Sequence, residues 1–297
     1  MTQPSRIGAI IVAWHPDRAQ FAGLLQSLQP QVERIVIIDN TQPSIIRHWS
    51  ESQVQSIEII EPSSNIGVAA AINQGLERLM TNGFTHALLL DQDSHPAESM
   101  VATLLDRMQA LESDDHKVAA IGPSLRDRNT GQRVPFVRFR LPMNRRLNLQ
   151  SGVIASDFLI TSGTLVNLEH LPEIGPMREA WFIDSIDLEW CFRARRKGFS
   201  IFGCFDTELL HSIGENRRLW SGLSVPVYRH HSPERLYTMM RNRVFLYRSH
   251  APIAWILQDL IRAAGKLFLF SLIRPRCKNL RSMLRGLKDG LLTRPVP

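Results

Sequence analysis

The sequence predicts an α/β fold, in which a mostly parallel sheet is flanked by helices and followed by a C-terminal helical extension. Two observations support this prediction. Apolar runs of strand length lack the period-two alternation of strands that have one solvated face. These runs alternate with amphipathic helical patterns, as in a sheet that helices cover on both sides. The 297 residues suffice for one large domain and an appendage, which we place at residues 1–225 and 226–297.

The first half of the chain alternates five strand patterns with three helix patterns. Phe21, Leu24 and Leu28 recur at helical spacing, and Asn82-Gly83 predicts the end of a second helix. Pro96 predicts the start of a third helix. The predicted strands cover residues 7–13, 34–40, 56–60, 86–93 and 118–123.

The second half of the chain is less regular. Residues 124–157 predict a flap or a hairpin, and residues 158–175 predict strand, turn, short strand and short helix. A helix should run from near Asp187 to Gly198, with a strand after it. Two further helices should begin at Ser232-Pro233 and at Pro252. Because no stretch reaches ~18 uncharged apolar residues, we expect no membrane-spanning helix.

Charge and cysteine content narrow the functional class. Nine Lys and Arg residues against two Asp residues after position 250 account for the whole net charge of +7, so the basic tail predicts an anionic partner. The alternative is a solvated helix face. The odd number of cysteines, three, and the lack of a C-x-x-C pair argue against a disulfide framework and a structural zinc site. The N-terminus lacks the pattern of a signal peptide, so we expect a cytosolic protein with reduced thiols.

Two acids, Asp91 and Asp93, follow the fourth predicted strand directly. Carboxylates at this spacing repel one another unless a cation lies between them or one of them is protonated. Hard oxygen ligands at a strand end suit Mg²⁺ or Mn²⁺ bound to a substrate diphosphate. The alternative is a solvated turn with a helix cap, since short motifs often match by chance.

Other polar residues lie where ligands of parallel sheets bind. Asn65 and Gly67 precede a helix whose N-terminus could receive a phosphate or a sugar edge, or Asn65 could simply cap that helix. Asp187 at the start of a later helix is kept ionised by the helix dipole, as a general base requires, although capping alone would also explain it. His211 fits a third metal ligand or an ordinary loop histidine.

Together these motifs resemble the inverting family-two glycosyltransferases, which have the GT-A fold. The resemblance extends from about residue 5 to about residue 250. Within the family it is similar to bacterial rhamnosyltransferases that build O-antigen and related polysaccharides. The matching pieces, in order, are IIVAWHPD, VIIDN, NIGVAAAINQG, LLLDQDS, Ser162-Gly163, FIDSIDLEWCFRARRKGF and HSIG.

The resemblance implies a role for individual residues. Asp187 would be the general base. Many relatives carry an acid directly before it, whereas this chain has Ile186, and the nearest acid is Asp184. The residues that would bind the sugar donor are Val12, Trp14, Asp39, Asn65, Gly67, Asn73 and Asp91. The residues that would hold Mg²⁺ or Mn²⁺ against the diphosphate are Asp91, Asp93 and His211.

The resemblance also implies the partners. The sugar donor would be a nucleotide-diphospho-sugar, dTDP-β-L-rhamnose for a rhamnosyltransferase, and the acceptor would be a glycan on polyprenyl diphosphate. Such an acceptor predicts a protein that is peripheral on the inner face of the cytoplasmic membrane, with apolar side chains of the basic tail in the interface. These side chains are Trp255, Ile256, Leu260, Leu267, Phe268 and Phe270. The alternative for this apolar stripe is packing on the domain or on a second copy in a homo-oligomer.

Three other functional classes compete with this interpretation. Ile186 in place of an acid would fit a non-catalytic, membrane-associated subunit with the same fold. Alternatively, the protein could be a glycosyltransferase whose sugar donor is another nucleotide sugar. A nucleotidyltransferase would carry a glycine-rich loop after the first strand, but residues 14–20 contain no glycine. We expect no nucleic-acid partner, because no nucleic-acid-binding module is recognised.

Overall fold

A computed structural model of the chain describes residues 4–49, 56–128, 130–211, 216–218, 227–229 and 231–294. The chain divides into two compact units. The first comprises Met1–Arg138, Arg145–Phe182 and Ile186–Ser212, and the second comprises Phe139–Asn144, Ile183–Ser185 and Ile213–Pro297. The division expected between residues 225 and 226 lies outside the described residues and stays a prediction.

The first unit is built on a mixed, mostly parallel sheet, to which the described residues contribute ten strands. Its strand order is β10-β12-β6-β11-β4-β1-β2-β3, with β5 paired to β12 and β7 paired to β6. The reversed strand β11 lies between β4 and β6, so β4 and β6 are parallel to each other. The strands are β1 (Ile7–Ala13), β2 (Arg34–Asp39), β3 (Ile57–Ile60), β4 (His86–Asp91), β5 (His95–Pro96), β6 (Val118–Asp127), β7 (Arg133–Val134), β10 (Val153–Ala155), β11 (Thr164–Asn167) and β12 (Ser200–His211).

The predicted α/β architecture is confirmed, because strands β1, β2 and β4 are buried along nearly their whole length. The helices of this unit bury their apolar stripes against the sheet. Asp17 caps the first helix by accepting a hydrogen bond from the Gln20 amide at 2.9 Å. The helices are α1 (Arg18–Leu28), α2 (Gly67–Thr81), α3 (Met100–Ser113), α4 (Leu171–Ile174) and α5 (Ile186–Arg196).

Three local predictions need correction or completion. The prediction that Pro96 starts a helix is wrong, because Pro96 pairs with Leu209 of β12 and α3 begins at Met100. Residues 158–161 form no strand; the chain there turns into β11. Of the two structures considered for residues 124–157, the hairpin is observed. Its strands are β8 (Phe136–Arg138) and β9 (Arg145–Leu147), which pair antiparallel.

The second unit is mainly helical. Its described core contains Leu236, Met240, Phe270, Ile273 and Met283. No helix within the described residues combines the length and the apolarity needed to cross a bilayer. The elements are the paired strands β13 (Asn216–Arg218) and β14 (Val227–Arg229) and the helices α6 (Pro233–Tyr247), α7 (Ile253–Leu272) and α8 (Arg276–Leu292).

Candidate active site

The carboxyl ends of the parallel strands bring the predicted acids to one edge of the sheet. In the strand register, Val12 of β1 lies opposite Asp91 of β4, and Ala13 lies opposite Asp39 of β2. The end of β1 is therefore flanked by an acid on each side. This is the edge at which parallel α/β sheets bind ligands.

A second strand pairing brings His211 to this edge. One residue after Asp93 the chain enters β5, and His95 pairs with Leu210 of β12. The imidazole of His211, the next residue, has Nε2 3.6 Å from Asp91 Oδ2 and Nδ1 3.6 Å from Asp93 Oδ1. One potential ligand atom from each of these three residues lies within 4.8 Å of the other two.

The chemistry of this cluster fits a divalent cation. The Nδ1 atom of His211 is buried and has no hydrogen-bond partner within the described residues. An unpartnered buried polar atom is costly, and a bound ion would offset that cost. The side chains of Asp91 and Asp93 keep 42% and 32% of their surface exposed, which leaves room for a ligand between them. Carboxylates are ligands that suit Mg²⁺ and Mn²⁺.

Three residues that the sequence analysis did not select hold this edge in place. Gln92, between the two acids, accepts a hydrogen bond from the Trp14 amide at 2.6 Å. The hydroxyls of Ser94 and Ser162 lie 2.6 Å apart, and the Ser162 hydroxyl accepts from the Asp91 amide at 3.4 Å. Ser162 belongs to the Ser162-Gly163 pair, one of the motifs that carry the resemblance. That motif was the signal in the sequence that could have identified this residue. The Trp14 side chain itself is 57% exposed beside this edge.

The start of α2 forms a tight backbone turn. The Asn65 side chain accepts a hydrogen bond from the Gly67 amide at 2.9 Å, and Asn40 accepts one from the Ile66 amide at 3.2 Å. Gly67 has φ +82°, and a Cβ there would lie 2.5 Å from Cδ2 of Phe182. Only glycine allows both this conformation and this close approach.

Two residues expected in the sugar-donor pocket make internal contacts instead of pointing free side chains outward. Asp39 is fully buried and accepts hydrogen bonds from the Thr41 amide at 2.9 Å and the Ser44 hydroxyl at 2.7 Å. Asn73 binds the backbone of Met177 through both ends of its amide, at 2.8 and 2.9 Å. Their roles toward a sugar donor stay predictions.

Helix α5 carries the predicted base near its start. Ile186, directly before the predicted base, is 4% exposed and packs as a core residue. The Asp187 carboxylate accepts a hydrogen bond from the Leu188 amide at 2.8 Å. Glu189 is buried and makes a two-pronged ion pair with Arg193, at 2.9 and 2.8 Å. Glu189 therefore anchors the helix, and the partly buried acid in this turn is Asp187.

The segment before α5 has unusual backbone conformations. Phe182, Asp184 and Ser185 have φ values of +64°, +65° and +63°. Each such conformation costs about 1–3 kcal/mol for an L-residue and is often found at functional sites. The carbonyl of Phe182 accepts a hydrogen bond from the Val68 amide at 2.7 Å, which joins this segment to the start of α2.

Sequence comparison finds a relative over most of the chain. The chain is 27% identical over 261 residues to the dTDP-rhamnosyl transferase RfbF of Shigella flexneri. The match covers 86% of this chain and 85% of that protein. No family model matches the chain.

Solved structures share the fold at low sequence identity. A crystal structure of GalNAc-T7 with UDP, GalNAc and Mn²⁺ aligns with a TM-score of 0.62 and 12% identity over 97% of this chain. S. aureus TarS aligns with a TM-score of 0.53 and 15% identity over 98% of this chain. The chain spans about half the length of these two proteins, 55% and 49%. TarS residues 1–349 in complex with UDP-GlcNAc align with a TM-score of 0.54 and 12% identity over 96% of this chain and 91% of that one.

These likenesses confirm both the fold class and the resemblance that the sequence motifs predicted. The sheet order, the acids at the carboxyl ends of β2 and β4 on either side of β1, and the similarity to a dTDP-rhamnosyl transferase are mutually consistent. The chain has the fold of the GT-A glycosyltransferases and resembles rhamnosyltransferases of that type.

Proposed function

We propose that the protein is an inverting, metal-dependent glycosyltransferase that moves L-rhamnose from dTDP-β-L-rhamnose onto a growing cell-surface glycan of the O-antigen type. The observation that carries this proposal is the cluster of Asp91, Asp93 and His211, with ligand atoms within 4.8 Å of one another at the carboxyl edge of the sheet. The similarity to a dTDP-rhamnosyl transferase over 86% of the chain supports the choice of sugar donor.

The residues of the cluster would orient the diphosphate of the sugar donor. Asp91, Asp93 and His211 would hold a Mg²⁺ or Mn²⁺ ion, which when bound offsets the negative charge that develops on the nucleotide diphosphate. The Gln92–Trp14 and Ser94–Ser162 hydrogen bonds restrict the backbone on both sides of Asp93, so that the two carboxylates stay directed to one place. Such restriction reduces the reorganisation needed during the reaction.

Asp187 acts as the general base in this proposal. It lies in the first turn of α5, where the helix dipole favours a negatively charged side chain. The carboxylate accepts the proton of the acceptor hydroxyl as that oxygen attacks the anomeric carbon. Attack from the face opposite the leaving group inverts that carbon, so a β-L-rhamnosyl donor yields an α-linked rhamnose. Proton transfer of this kind contributes about 10²–10⁴-fold to the rate.

The acceptor in this proposal is a glycan on polyprenyl diphosphate at an anionic membrane surface. Helix α7 supports it with one exposed apolar stripe, in which Ile253, Ile261 and Phe268 are 73%, 75% and 70% exposed. The expectation that Trp255 and Phe270 lie in the interface is wrong, because these two side chains are buried, at 5% and 2% exposure. Charge complementarity favours a membrane as the occupant, because Arg274, Arg276 and the basic residues of α8 follow the stripe. Sedimentation with vesicles of phosphatidylglycerol but not of phosphatidylcholine is the expected result. Phe268→Ser alone should weaken binding to these vesicles but keep the preference for phosphatidylglycerol.

The decisive experiment is a panel of nucleotide sugars with purified full-length protein, with and without EDTA. We expect release of dTDP from dTDP-rhamnose in the presence of a lipid-linked acceptor, and its loss on chelation. Turnover of a different nucleotide sugar would overturn the donor assignment. Binding of nucleotide sugars without any turnover would instead indicate a non-catalytic subunit.

The base is tested by Asp187→Asn, with Asp106→Asn on the solvent side of α3 as the matched control. We expect the first variant to lower kcat by at least 10²-fold with little change in the KM for the sugar donor. The control should keep the activity of the unmodified protein. Full activity in Asp187→Asn would exclude this residue as the base.

A further inference from the structure

The residues just before the candidate base are held by a buried amide. Ile183–Ser185 belong to the second unit, although Phe182 and Ile186 on either side belong to the first. Asn242 of α6 is fully buried, and its Nδ2 atom donates hydrogen bonds to the carbonyls of Ile183 at 2.8 Å and of Asp184 at 2.9 Å. Both N–H groups of one side chain are thus used on two successive backbone carbonyls.

The orientation of the Asn242 amide is set from its other end. Its Oδ1 atom accepts hydrogen bonds from the Arg241 guanidinium at 3.1 and 2.9 Å. The guanidinium carbon lies 5.5 Å from the centre of the Phe245 ring, which limits where Arg241 can move. Because arginine has only donors, Oδ1 must face Arg241 and the NH₂ group must face the two carbonyls.

A second clamp holds the side chain of the same segment. The Asp184 carboxylate accepts hydrogen bonds from Arg235 Nε at 3.2 Å and Nη2 at 3.0 Å, a two-pronged ion pair. Such a pair fixes direction as well as distance. Asn242 and Arg235 therefore restrain both the backbone and the side chain of Asp184.

We propose that Asn242, assisted by Arg235, is a positioning residue for Asp187. This inference rests on the proposed role of Asp187 as the general base. Asp184 and Ser185 have positive φ values that L-residues rarely adopt, so the segment would relax if its restraints were removed. Asp187 follows Ser185 by two residues, and the direction of its carboxylate depends on where α5 begins. The two carbonyl hydrogen bonds of Asn242 maintain that starting point.

The test compares Asn242→Asp with Asn279→Asp in the full-length protein. Both asparagines are buried in the second unit, and Asn279 likewise donates to a backbone carbonyl, that of Ile273 at 3.0 Å. Aspartate has the shape of asparagine but cannot donate to a carbonyl when ionised. We expect kcat for dTDP-rhamnose turnover to fall at least tenfold in Asn242→Asp, with the KM for the sugar donor changed less than twofold. Asn279→Asp should leave both constants near their original values.

Hydrogen–deuterium exchange gives a readout that does not depend on activity. Peptides covering residues 182–190 should exchange faster in Asn242→Asp and unchanged in Asn279→Asp. Unchanged exchange there, or an equal loss of kcat in both variants, would overturn the proposal. If the unmodified protein turns over no nucleotide sugar, the proposed function fails while the exchange experiment still decides whether Asn242 holds the segment.

A milder variant keeps the test valid if Asn242→Asp does not fold. Arg235→Gln removes the ion pair with Asp184 at a side chain that is 47% exposed, so folding should be preserved. We expect a several-fold fall in kcat with faster exchange of residues 182–190, and partial recovery of both in Arg235→Lys. Arg235→Gln with unchanged kcat and unchanged exchange would overturn the assisting role of Arg235.

Discussion

Replacing Glu189 by Gln should destabilise the protein by about 3–5 kcal/mol, because it leaves a buried cation without its counter-charge. Arg193 is 5% exposed and its guanidinium contacts both oxygens of the Glu189 carboxylate. Its remaining acceptors are the carbonyls of Ile174 and Pro176, both at 2.7 Å. Glutamine can replace one of the two carboxylate contacts but turns its NH₂ group toward the other guanidinium nitrogen. The nearby Arg178 carries the same charge as Arg193 and cannot compensate.

The measurement is urea unfolding followed by tryptophan fluorescence, with Glu33→Gln as the matched control. Glu33 pairs with Arg6 at 3.0 Å, but the two side chains are 49% and 42% exposed. An exposed pair contributes about 0–1 kcal/mol and weakens in salt, whereas the loss in Glu189→Gln should change little with salt. A loss below about 1 kcal/mol for Glu189→Gln, or equal losses in both variants, would refute the assignment of this pair as the anchor of α5.

Three further predictions concern other parts of the first unit. Burial lowers the pKa of His86 from 6.5 to about 4, so the free energy of unfolding should fall by about 3 kcal/mol as the pH drops from 6.5 to about 4. His86→Gln should remove this part of the pH dependence in unfolding titrations, and an unchanged pH profile would contradict the prediction. Gly67→Ala should destabilise by about 2–4 kcal/mol in thermal unfolding, since its Cβ would meet Phe182, whereas Gly131→Ala, with φ +68° and open space around it, should lose about 1–2 kcal/mol. His211→Ala should weaken Mn²⁺ binding at least tenfold in calorimetry with the metal alone; equal affinity would exclude His211 as a ligand.

The first half of the fold was predictable because its signals are local. Buried parallel strands appear as continuous apolar runs, and the helices between them show a 3.6-residue period. Predicted strands such as residues 7–13 and 34–40 correspond to Ile7–Ala13 and Arg34–Asp39. The error at Pro96 has a tertiary cause. Proline suits a helix start, but here it is taken up in a two-residue strand against Leu209.

The sequence by itself determined which strands end in acids, because an apolar run followed by Asp91 and Asp93 is visible without any partner. The residues alone left His211, more than a hundred residues later, as either a ligand or a loop histidine, and only the motif resemblance grouped it with the acids. The tertiary structure decided that it lies beside them, since that depends on the pairing of β5 with the irregular end of β12. It also decided that Glu189 is a buried anchor and that Asn242 holds the backbone beside Asp184. The local periodicity of apolar residues indicates which of them lie on the same face of one helix or strand. The contacts of His211, Glu189 and Asn242 instead arise from strand register and from burial between distant segments.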